Sequence, residues 1–244
     1  MPRFFVPSAN FSDGGVKICG DDARHIARSL RMAEGDTVTV CDMHGTEHEC
    51  RLTRIRDEEC SLEILSSKKG ENEPPVKISL YMAYPKADKL EYIVQKAVEL
   101  GAYEIIPFES ERCIKRPAPE KAEKNTARLQ RIASEAAKQC GRSVLPTVSA
   151  PISYKEVLKR GCESDLSIFC YEGDGTRSLK SILESAPDAK TVSVVVGCEG
   201  GFSQKEAEAA AEAGFSMANL GGRILRCETA PSFALSSIIY FFEL

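Results

Sequence analysis

The sequence lacks a long hydrophobic run, and this absence argues against a membrane protein. No apolar stretch approaches the roughly 20 residues that a membrane-spanning helix needs. The first residues, Met1 to Val6, contain neither the apolar core nor the cleavage site of a secretory signal peptide. Hydrophobic residues make up 43% of the chain and charged residues 28%, a balance typical of soluble globular proteins. We therefore expect a cytoplasmic protein with no membrane contact.

The sequence also lacks the paired cysteine spacing of a disulfide framework or a zinc site. It contains ten cysteines, but no C-x-x-C pair occurs anywhere. Reduced and mostly buried thiols are the better interpretation in the absence of a signal peptide. His44 and His48 are four residues apart, but Gly45 beside them indicates a solvated hairpin turn. We expect no metal site.

Positive charge is scarce overall, and it is concentrated in one segment. The net charge is −4, yet residues 112–142 contain nine Lys or Arg and three acidic residues, a local charge of +6. A predicted helix over residues 120–140 aligns Lys124, Arg128, Arg131 and Lys138 on one face. Such a basic stripe is either a merely solvated face or an RNA-binding surface. The negative net charge does not exclude RNA, because binding of nucleic acid requires only a local patch of positive charge.

The two parts of the chain differ in their pattern. Residues 1–70 predict short strands with tight turns around one helix, which Asp21 or Asp22 would cap and which would run to Leu30. Such a pattern favours a small barrel. Residues 68–75 are polar, end in two prolines and indicate a linker.

After the linker, predicted strands alternate with predicted helices, which favours an α/β domain with a mostly parallel sheet. The predicted strands cover residues 76–84, 103–107, 165–171, 191–196 and 216–220. The predicted helices cover residues 88–100, 120–140, 204–213 and the residues from about Pro231 onward.

A first glycine-rich loop, Gly197–Ser203, follows the almost wholly apolar strand Val192–Val196. Ser203 and Glu206 form a capping-box pattern, so a helix begins directly after the loop. The loop lacks the G-x-G-x-x-G fingerprint of dinucleotide sites and the lysine of phosphate-binding loops. Because Glu199 would repel a phosphate, a neutral or cationic ligand that carries adenosine fits better. A tight turn with no ligand is the alternative.

A second glycine-rich segment, Leu220–Ala230, is the strongest local signal. Gly221 and Gly222 follow a strand, and Arg223, Arg226 and Glu228 come next. These charges either form a structural ion pair or belong to a site. Burying them in so apolar a stretch would be costly without partners, so their crowding beside a second glycine loop predicts a site.

At these two loops the chain resembles the RsmE family, SPOUT-class enzymes that methylate N3 of a uridine in 16S ribosomal RNA. The family motifs G-P-E-G-G-F/L-S and L-G-x-R-I/V-L-R-x-E-T correspond to Gly197–Ser203 and Leu220–Thr229. Further matching motifs, in chain order, lie at residues 3–5, 25–32, 95–101, 110–113 and 139–142. Two departures are Cys198 and Gly222, which stand where the family usually has proline. Their effect is to loosen the loops without removing a chemical group.

The resemblance implies an N-terminal PUA-like β-barrel over residues 1–73 and a C-terminal SPOUT α/β domain with a trefoil knot over residues 74–244. It also implies a homodimer that uses S-adenosylmethionine and acts on 16S ribosomal RNA in the assembled small ribosomal subunit. The methyl donor would lie bent in the knot, bound largely by backbone groups. The residues assigned to it are Glu172, Gly197, Gly200, Leu220, Gly221, Ile224 and Leu225.

Methylation of N3 requires loss of the imide proton and stabilisation of the resulting anion. We expect Arg226 to stabilise this anion and Glu228 to position the arginine or accept the proton, with the identity of the base left open. The residues expected to hold RNA, mostly through phosphates, are Arg3, Arg28, Arg31, Lys86, Lys89, Arg112, Arg128, Arg131 and Arg142.

Three other functions compete with this one. The first is an RNA-binding module that has lost the donor pocket, and the second is a SPOUT enzyme that acts on transfer RNA or on another ribosomal position. The third, a nicotinamide-dependent Rossmann enzyme, is disfavoured by the missing fingerprint.

Overall fold

The computed structural model describes residues 1–86, 88–114 and 119–244. The chain divides into two compact units. The N-terminal unit comprises residues 1–73 together with 137–145, and the C-terminal unit comprises residues 74–136 and 146–244. The domain limits 1–73 and 74–244 remain a prediction, and residues 137–145 group with the N-terminal unit in the structure.

The N-terminal unit contains a six-stranded sheet in the order β1-β4-β5-β6-β3-β2. Strands β1 and β4 pair in parallel, and the other neighbours are antiparallel. Register shifts between β5 and β6 bend the sheet into a half-barrel around the buried core. The strands are β1 (Arg3–Phe5), β2 (Phe11–Ser12), β3 (Gly15–Cys19), β4 (Thr37–Cys41), β5 (Thr46–Ile55) and β6 (Glu59–Lys69).

Two local predictions for this unit were wrong. The helix α1 (Asp21–Arg24) begins after Gly20, with no side-chain cap, and continues as a π-helical turn over His25–Ser29. Asp21 and Asp22 lie in its first turn, where the helix dipole favours carboxylates. Strand β6 extends to Lys69, so the first two residues of the predicted linker belong to the sheet.

Buried ion pairs join residues 137–145 to the rest of this unit. Arg142 is only 4% exposed, and its guanidinium donates to the Glu73 carboxylate from Nε and from Nη2, the latter at 2.7 Å. Arg3, whose side chain is 14% exposed, donates to Glu47 at 2.7 Å and to the carbonyl of Arg142 at 3.2 Å. Arg142, which we expected to hold RNA, is thus buried and paired with Glu73 in this structure. Its contact with RNA stays a prediction.

In the C-terminal unit the described residues form an eight-stranded parallel sheet. Its main path is β10-β8-β7-β13-β11-β14-β12, and β9 pairs with β8. Its strands are β7 (Lys77–Ala83), β8 (Ala102–Glu109), β9 (Thr147–Val148), β10 (Ile152–Ser153), β11 (Leu166–Cys170), β12 (Arg177–Ser178), β13 (Thr191–Val196) and β14 (Ser216–Asn219). The predicted α/β class is confirmed.

The helices of this unit follow from apolar periodicity and capping. The apolar side chains of α2, Leu90 to Val98, are buried as predicted, and Ser203 and Glu206 form the predicted capping box of α6. Two short helices were missed, although Ser153 and Ser178 cap them. The helices are α2 (Lys89–Glu99), α3 (Pro119–Cys140), α4 (Tyr154–Gly161), α5 (Leu179–Glu184), α6 (Gln204–Glu212) and α7 (Thr229–Glu243). In the described ranges, none has the length and apolar character needed to cross a membrane.

Candidate functional site

A cavity of about 640 Å³ lies where three loops of the C-terminal unit meet. The loops follow β11, β13 and β14, which are neighbours in the sheet, and ligands of parallel sheets bind at this carboxyl edge. Six of the seven predicted donor-binding residues line the cavity: Glu172, Gly197, Leu220, Gly221, Ile224 and Leu225. Gly200, the seventh, lies outside the lining and contacts Arg112 instead. The structure therefore brings both glycine-rich loops to one place.

The glycines let the backbone approach closely at this cavity. Gly201 has a φ of +61°, and a Cβ there would lie 2.5 Å from Oε1 of Glu172. A Cβ at Gly197 would lie 3.1 Å from the Phe202 ring and 3.2 Å from Cα of Gly201. A side chain at Gly201 would meet both left-handed strain and a carboxylate. The missing Cβ atoms therefore make room for the Glu172 carboxylate at Gly201 and for the Phe202 ring at Gly197.

The lining of the cavity carries charges of both signs. The Glu172 carboxylate faces the cavity and, among the residues that the structure describes, makes no ion pair. The Glu199 carboxylate also lies in the lining, where it pairs with Lys89. Phe202, buried at the base of the first loop, contacts the ring of Phe169 with centroids 4.3 Å apart. The loop after β11 therefore presents an unpaired carboxylate to a cationic ligand, while two arginines of the segment after β14 present positive charge.

A lysine between two glutamates joins three segments at the edge of the cavity. The Nζ atom of Lys89, in the first turn of α2, lies 3.1 Å from Glu199 and 3.1 Å from Glu228. The backbone amide of Lys86 also donates to Glu199, at 3.1 Å. Hydrogen bonds from Lys89 to both glutamates raise its pKa. This cluster fixes the first glycine loop to the segment that contains Arg226.

Both glutamates of this cluster are held in their ionised form. Burial opposes ionisation of Glu199, but hydrogen bonds from its own backbone amide, Lys89 and the Lys86 amide lower its pKa. Hydrogen bonds from the Cys227 thiol, the backbone and Lys89 lower the pKa of Glu228. A carboxylate with a lowered pKa is a poorer proton acceptor.

The pairing of Glu228 differs from the sequence interpretation. Its partner is Lys89, and within the described part of the chain neither Arg223 nor Arg226 forms an ion pair. Both arginines are exposed at the cavity. The structural ion pair between these arginines and Glu228 is therefore absent from the described residues. Lys89, which we expected to bind phosphate, forms ion pairs with two carboxylates instead.

The loop after β8 supports the first glycine loop, a contact that no local sequence pattern indicates. The Arg112 guanidinium donates to the carbonyl of Gly200 at 2.9 Å. Glu111 accepts a hydrogen bond from Ser203 Oγ at 2.6 Å, and its amide donates to Glu206 at 2.8 Å. The partners are about 90 residues apart in sequence, so periodicity could not reveal them.

The other predicted RNA-binding residues occupy both units. In the N-terminal unit Arg28 is exposed and pairs with Asp57, while Arg31 is exposed with a φ of +52°. In the C-terminal unit Lys86 and Arg131 are exposed. Arg128 is exposed and pairs with Glu91 at 2.8 Å. Lys115 and Arg116 of the basic segment lie outside the described residues.

Comparison with known proteins agrees with this geometry. A model described as an RNA methyltransferase domain matches residues 72–239, and one described as an RNA methyltransferase PUA domain matches residues 18–65. The ribosomal RNA small subunit methyltransferase E of Bacillus subtilis is 36% identical over 231 residues, covering 93% of this chain and 90% of the relative. The protein of the same name from Synechocystis is 30% identical, covering 97% of this chain and 76% of the relative.

Two solved structures share the whole architecture. A ribosomal RNA small subunit methyltransferase E from Neisseria gonorrhoeae, bound to S-adenosyl methionine, has a TM-score of 0.89 and 34% identity, covering 99% of this chain and 98% of the other. A methyltransferase from Legionella pneumophila with bound SAM has a TM-score of 0.86 and 27% identity, covering 97% and 96%. The predicted resemblance is confirmed: this chain belongs to the RNA methyltransferase family that includes ribosomal RNA small subunit methyltransferase E.

Proposed function

We propose that the protein transfers the methyl group of S-adenosylmethionine to N3 of a uridine in 16S ribosomal RNA of the small subunit. The observation that carries this proposal is the single cavity at which both predicted glycine loops meet. The names of the similar proteins support the substrate, and two similar structures with the bound donor support the cofactor.

The residues present fit the donor. When bound, S-adenosylmethionine supplies an electrophilic methyl group on a positively charged sulfur. Backbone groups of Gly197, Leu220 and Leu225 would hold its adenine, and Gly201 leaves room for the Glu172 carboxylate beside them. The Glu172 carboxylate would accept hydrogen bonds from the hydroxyl or amino groups of the donor.

Arg226 would stabilise the uracil anion. Its guanidinium lies at the cavity and has no ion pair among the described residues, so its donors are available to a developing negative charge. Glu228 would act as a positioning residue for Lys89 rather than as the base, because its pKa is lowered. Exposed cations of each unit, Arg28 and Arg31 in one and Lys86, Arg128 and Arg131 in the other, would contact phosphates.

We also propose a homodimer, which the last helix supports. Helix α7 exposes Phe233 (42%) and Tyr240 (72%), which are seven residues apart and therefore share one face, and the exposed Leu244 (90%) follows its end. Exposed apolar stripes of this kind are typical of subunit interfaces. The trefoil knot is proposed from the family resemblance and from the return of the segment after β14 to the loops after β11 and β13. The site of action would be the cytoplasm, on assembled small subunits.

Two measurements test the function. Calorimetry with S-adenosylmethionine should give saturable heat, whereas an RNA-binding module without a donor pocket would give none. Incubation with labelled donor and small subunits from a strain that lacks the enzyme should label one uridine at N3, as mapped by mass spectrometry. Labelling of transfer RNA, or of a different ribosomal position, would refute the assigned substrate.

A further inference from the structure

Two buried thiols meet behind the first glycine loop, and the proposed reaction uses neither. Cys198 belongs to that loop and lines the cavity, while Cys113 lies in the loop after β8. The hydroxyl of Ser110 lies 3.2 Å from Sγ of Cys113 and 4.0 Å from Sγ of Cys198. The Cys198 thiol also donates to the carbonyl oxygen of Arg112 at 3.4 Å, directly beside Cys113 in the chain. The two sulfurs therefore share one small polar pocket.

The surroundings of Cys113 stabilise its thiolate. The amide of Ser110 donates a hydrogen bond to this sulfur at 3.4 Å, and the Ser110 hydroxyl lies 3.2 Å from it. The neighbouring Cys198 thiol and these Ser110 groups outweigh burial and lower the pKa of Cys113. The thiolate is the nucleophilic form of cysteine. By contrast, the same contact with Cys113 and burial raise the pKa of Cys198, which keeps it a thiol.

We propose that Cys113 and Cys198 form a redox-sensitive pair, in which a peroxide converts the two thiols into a disulfide that weakens binding of the methyl donor. The consequence for the donor rests on the proposed function, whereas formation of the bond does not. Cys198 stands where the resembled family usually has proline, so this chain has the second sulfur at a position that otherwise lacks one. Cys113 supplies its partner from a separate loop.

The disulfide would form in two steps. The Cys113 thiolate attacks one oxygen of hydrogen peroxide, the O–O bond breaks, and a sulfenic acid and hydroxide form. The Cys198 sulfur then attacks the sulfenic sulfur, the S–O bond breaks and water leaves with the Cys198 proton. The two sulfurs lose two electrons, and these reduce the peroxide. The peroxide would enter through the cavity, whose wall includes Cys198, and would reach Cys113 behind that residue.

The new bond would displace the donor loop. Bond formation requires the two sulfurs to approach to about 2.05 Å, so the Cys198 thiol would lose its hydrogen bond to the Arg112 carbonyl. Cys198 lies between Gly197, which lines the cavity, and Glu199, which holds Lys89. Movement at Cys198 would therefore displace the backbone groups that line the donor cavity. It would also displace Glu199, which forms the ion pair with Lys89 at the edge of the cavity.

The test uses the full chain and compares the reduced with the peroxide-treated protein. After alkylation of the remaining thiols and digestion, mass spectrometry should detect a peptide that links Cys113 to Cys198. Calorimetry should show about tenfold weaker binding of S-adenosylmethionine, with recovery after treatment with dithiothreitol. Bound donor should slow the formation of the linked peptide, because it blocks the cavity.

Two variants make the test specific. Cys113→Ser should bind the donor like the reduced wild type and keep that affinity after peroxide. Cys162→Ser, which removes an exposed thiol elsewhere, should respond to peroxide like the wild type. The proposal is overturned if no linked peptide forms, if the link leaves donor affinity unchanged, or if Cys113→Ser loses affinity as the wild type does. Reduced protein that binds no donor would instead refute the proposed function, while the linked peptide would still report on the pair.

Discussion

The two units of this protein use arginine in opposite ways. In the N-terminal unit Arg142 is buried and bonded to Glu73, and Arg3 is bonded to Glu47. In the C-terminal unit Arg223 and Arg226 lie exposed at the cavity and, within the described ranges, have no ion-pair partner. A buried guanidinium requires a carboxylate because an unpaired buried charge is very costly. Unpaired arginines at a cavity therefore remain available for a ligand.

The segments that match the family contain arginines of both kinds, buried and paired or exposed and unpaired. Arg142 and Arg226 each belong to a segment that matches the family, and the sequence suggested a contact with substrate or RNA for both. The two arginines differ in burial, since Arg142 is buried and Arg226 is exposed. The first arginine stabilises the N-terminal unit, and the second faces the place where the reaction is proposed to occur.

The largest expected effect comes from removing the free arginine at the cavity. We expect Arg226→Ala to lower kcat by about 10³-fold, since loss of one preorganised donor to a developing anion costs about 4 kcal/mol. Donor affinity should stay nearly unchanged. Single-turnover kinetics and calorimetry measure the two quantities. Turnover at the wild-type rate would remove Arg226 from the mechanism. Arg177→Ala, at an exposed arginine outside the cavity lining, is the control and should keep the wild-type rate.

Removing the buried arginine should instead affect stability. Arg142→Ala leaves the Glu73 carboxylate without its guanidinium partner, so the free energy of unfolding should fall by about 3 kcal/mol. Chemical denaturation of the full chain measures this change. In the matched control, Arg128→Ala removes an arginine with an exposed ion pair to Glu91, and the expected loss is below about 1 kcal/mol. Equal losses in the two variants would contradict the distinction.

A smaller effect, on donor binding, is expected from substitution of Lys89. This residue is charged and paired, and it lies at the cavity. Lys89→Met should weaken donor binding about tenfold, because Glu199 and Glu228 lose the cation that joins their segments. Lys96→Met, on the same helix but paired with Glu99, is the control and should change donor affinity little. An unchanged affinity in Lys89→Met would show that the cluster does not support the site.

The Lys89→Met variant should also change how donor affinity depends on pH. Lys89 helps to lower the pKa of both glutamates in the folded protein, so their ionised pairing persists as pH falls and disappears only below the lowered pKa. Without Lys89 both pKa values should rise. Donor affinity of the variant should then begin to fall at a higher pH than that of the wild type. Calorimetry between about pH 4 and pH 8, a range that includes the ordinary glutamate pKa, measures the shift.

Much of the fold could be predicted from local pattern. The apolar stripe of α2, the β-branched run of β13 and the capping box at Ser203 each act over a few residues. Helices α4 and α5 were missed because they are short, at eight and six residues. Their serine caps were the available signal.

Six of the seven residues predicted to bind the donor line one cavity, since glycine loops after parallel strands meet at the carboxyl edge of the sheet. Their contact with the donor stays a prediction. The pairing of Glu228 with Lys89 could not be predicted, because the two residues are 139 positions apart in sequence and only the arrangement of the strands brings them close. The support that Arg112 gives to Gly200 was missed for the same reason.

By itself the sequence determined the α/β class of the C-terminal part, the two glycine loops and the family, because these depend on local periodicity and on contiguous motifs. Only the tertiary structure decided which charges are paired, which arginine is buried and which two cysteines meet. Those outcomes depend on distances of a few ångströms between segments far apart in the chain, and no local pattern encodes them.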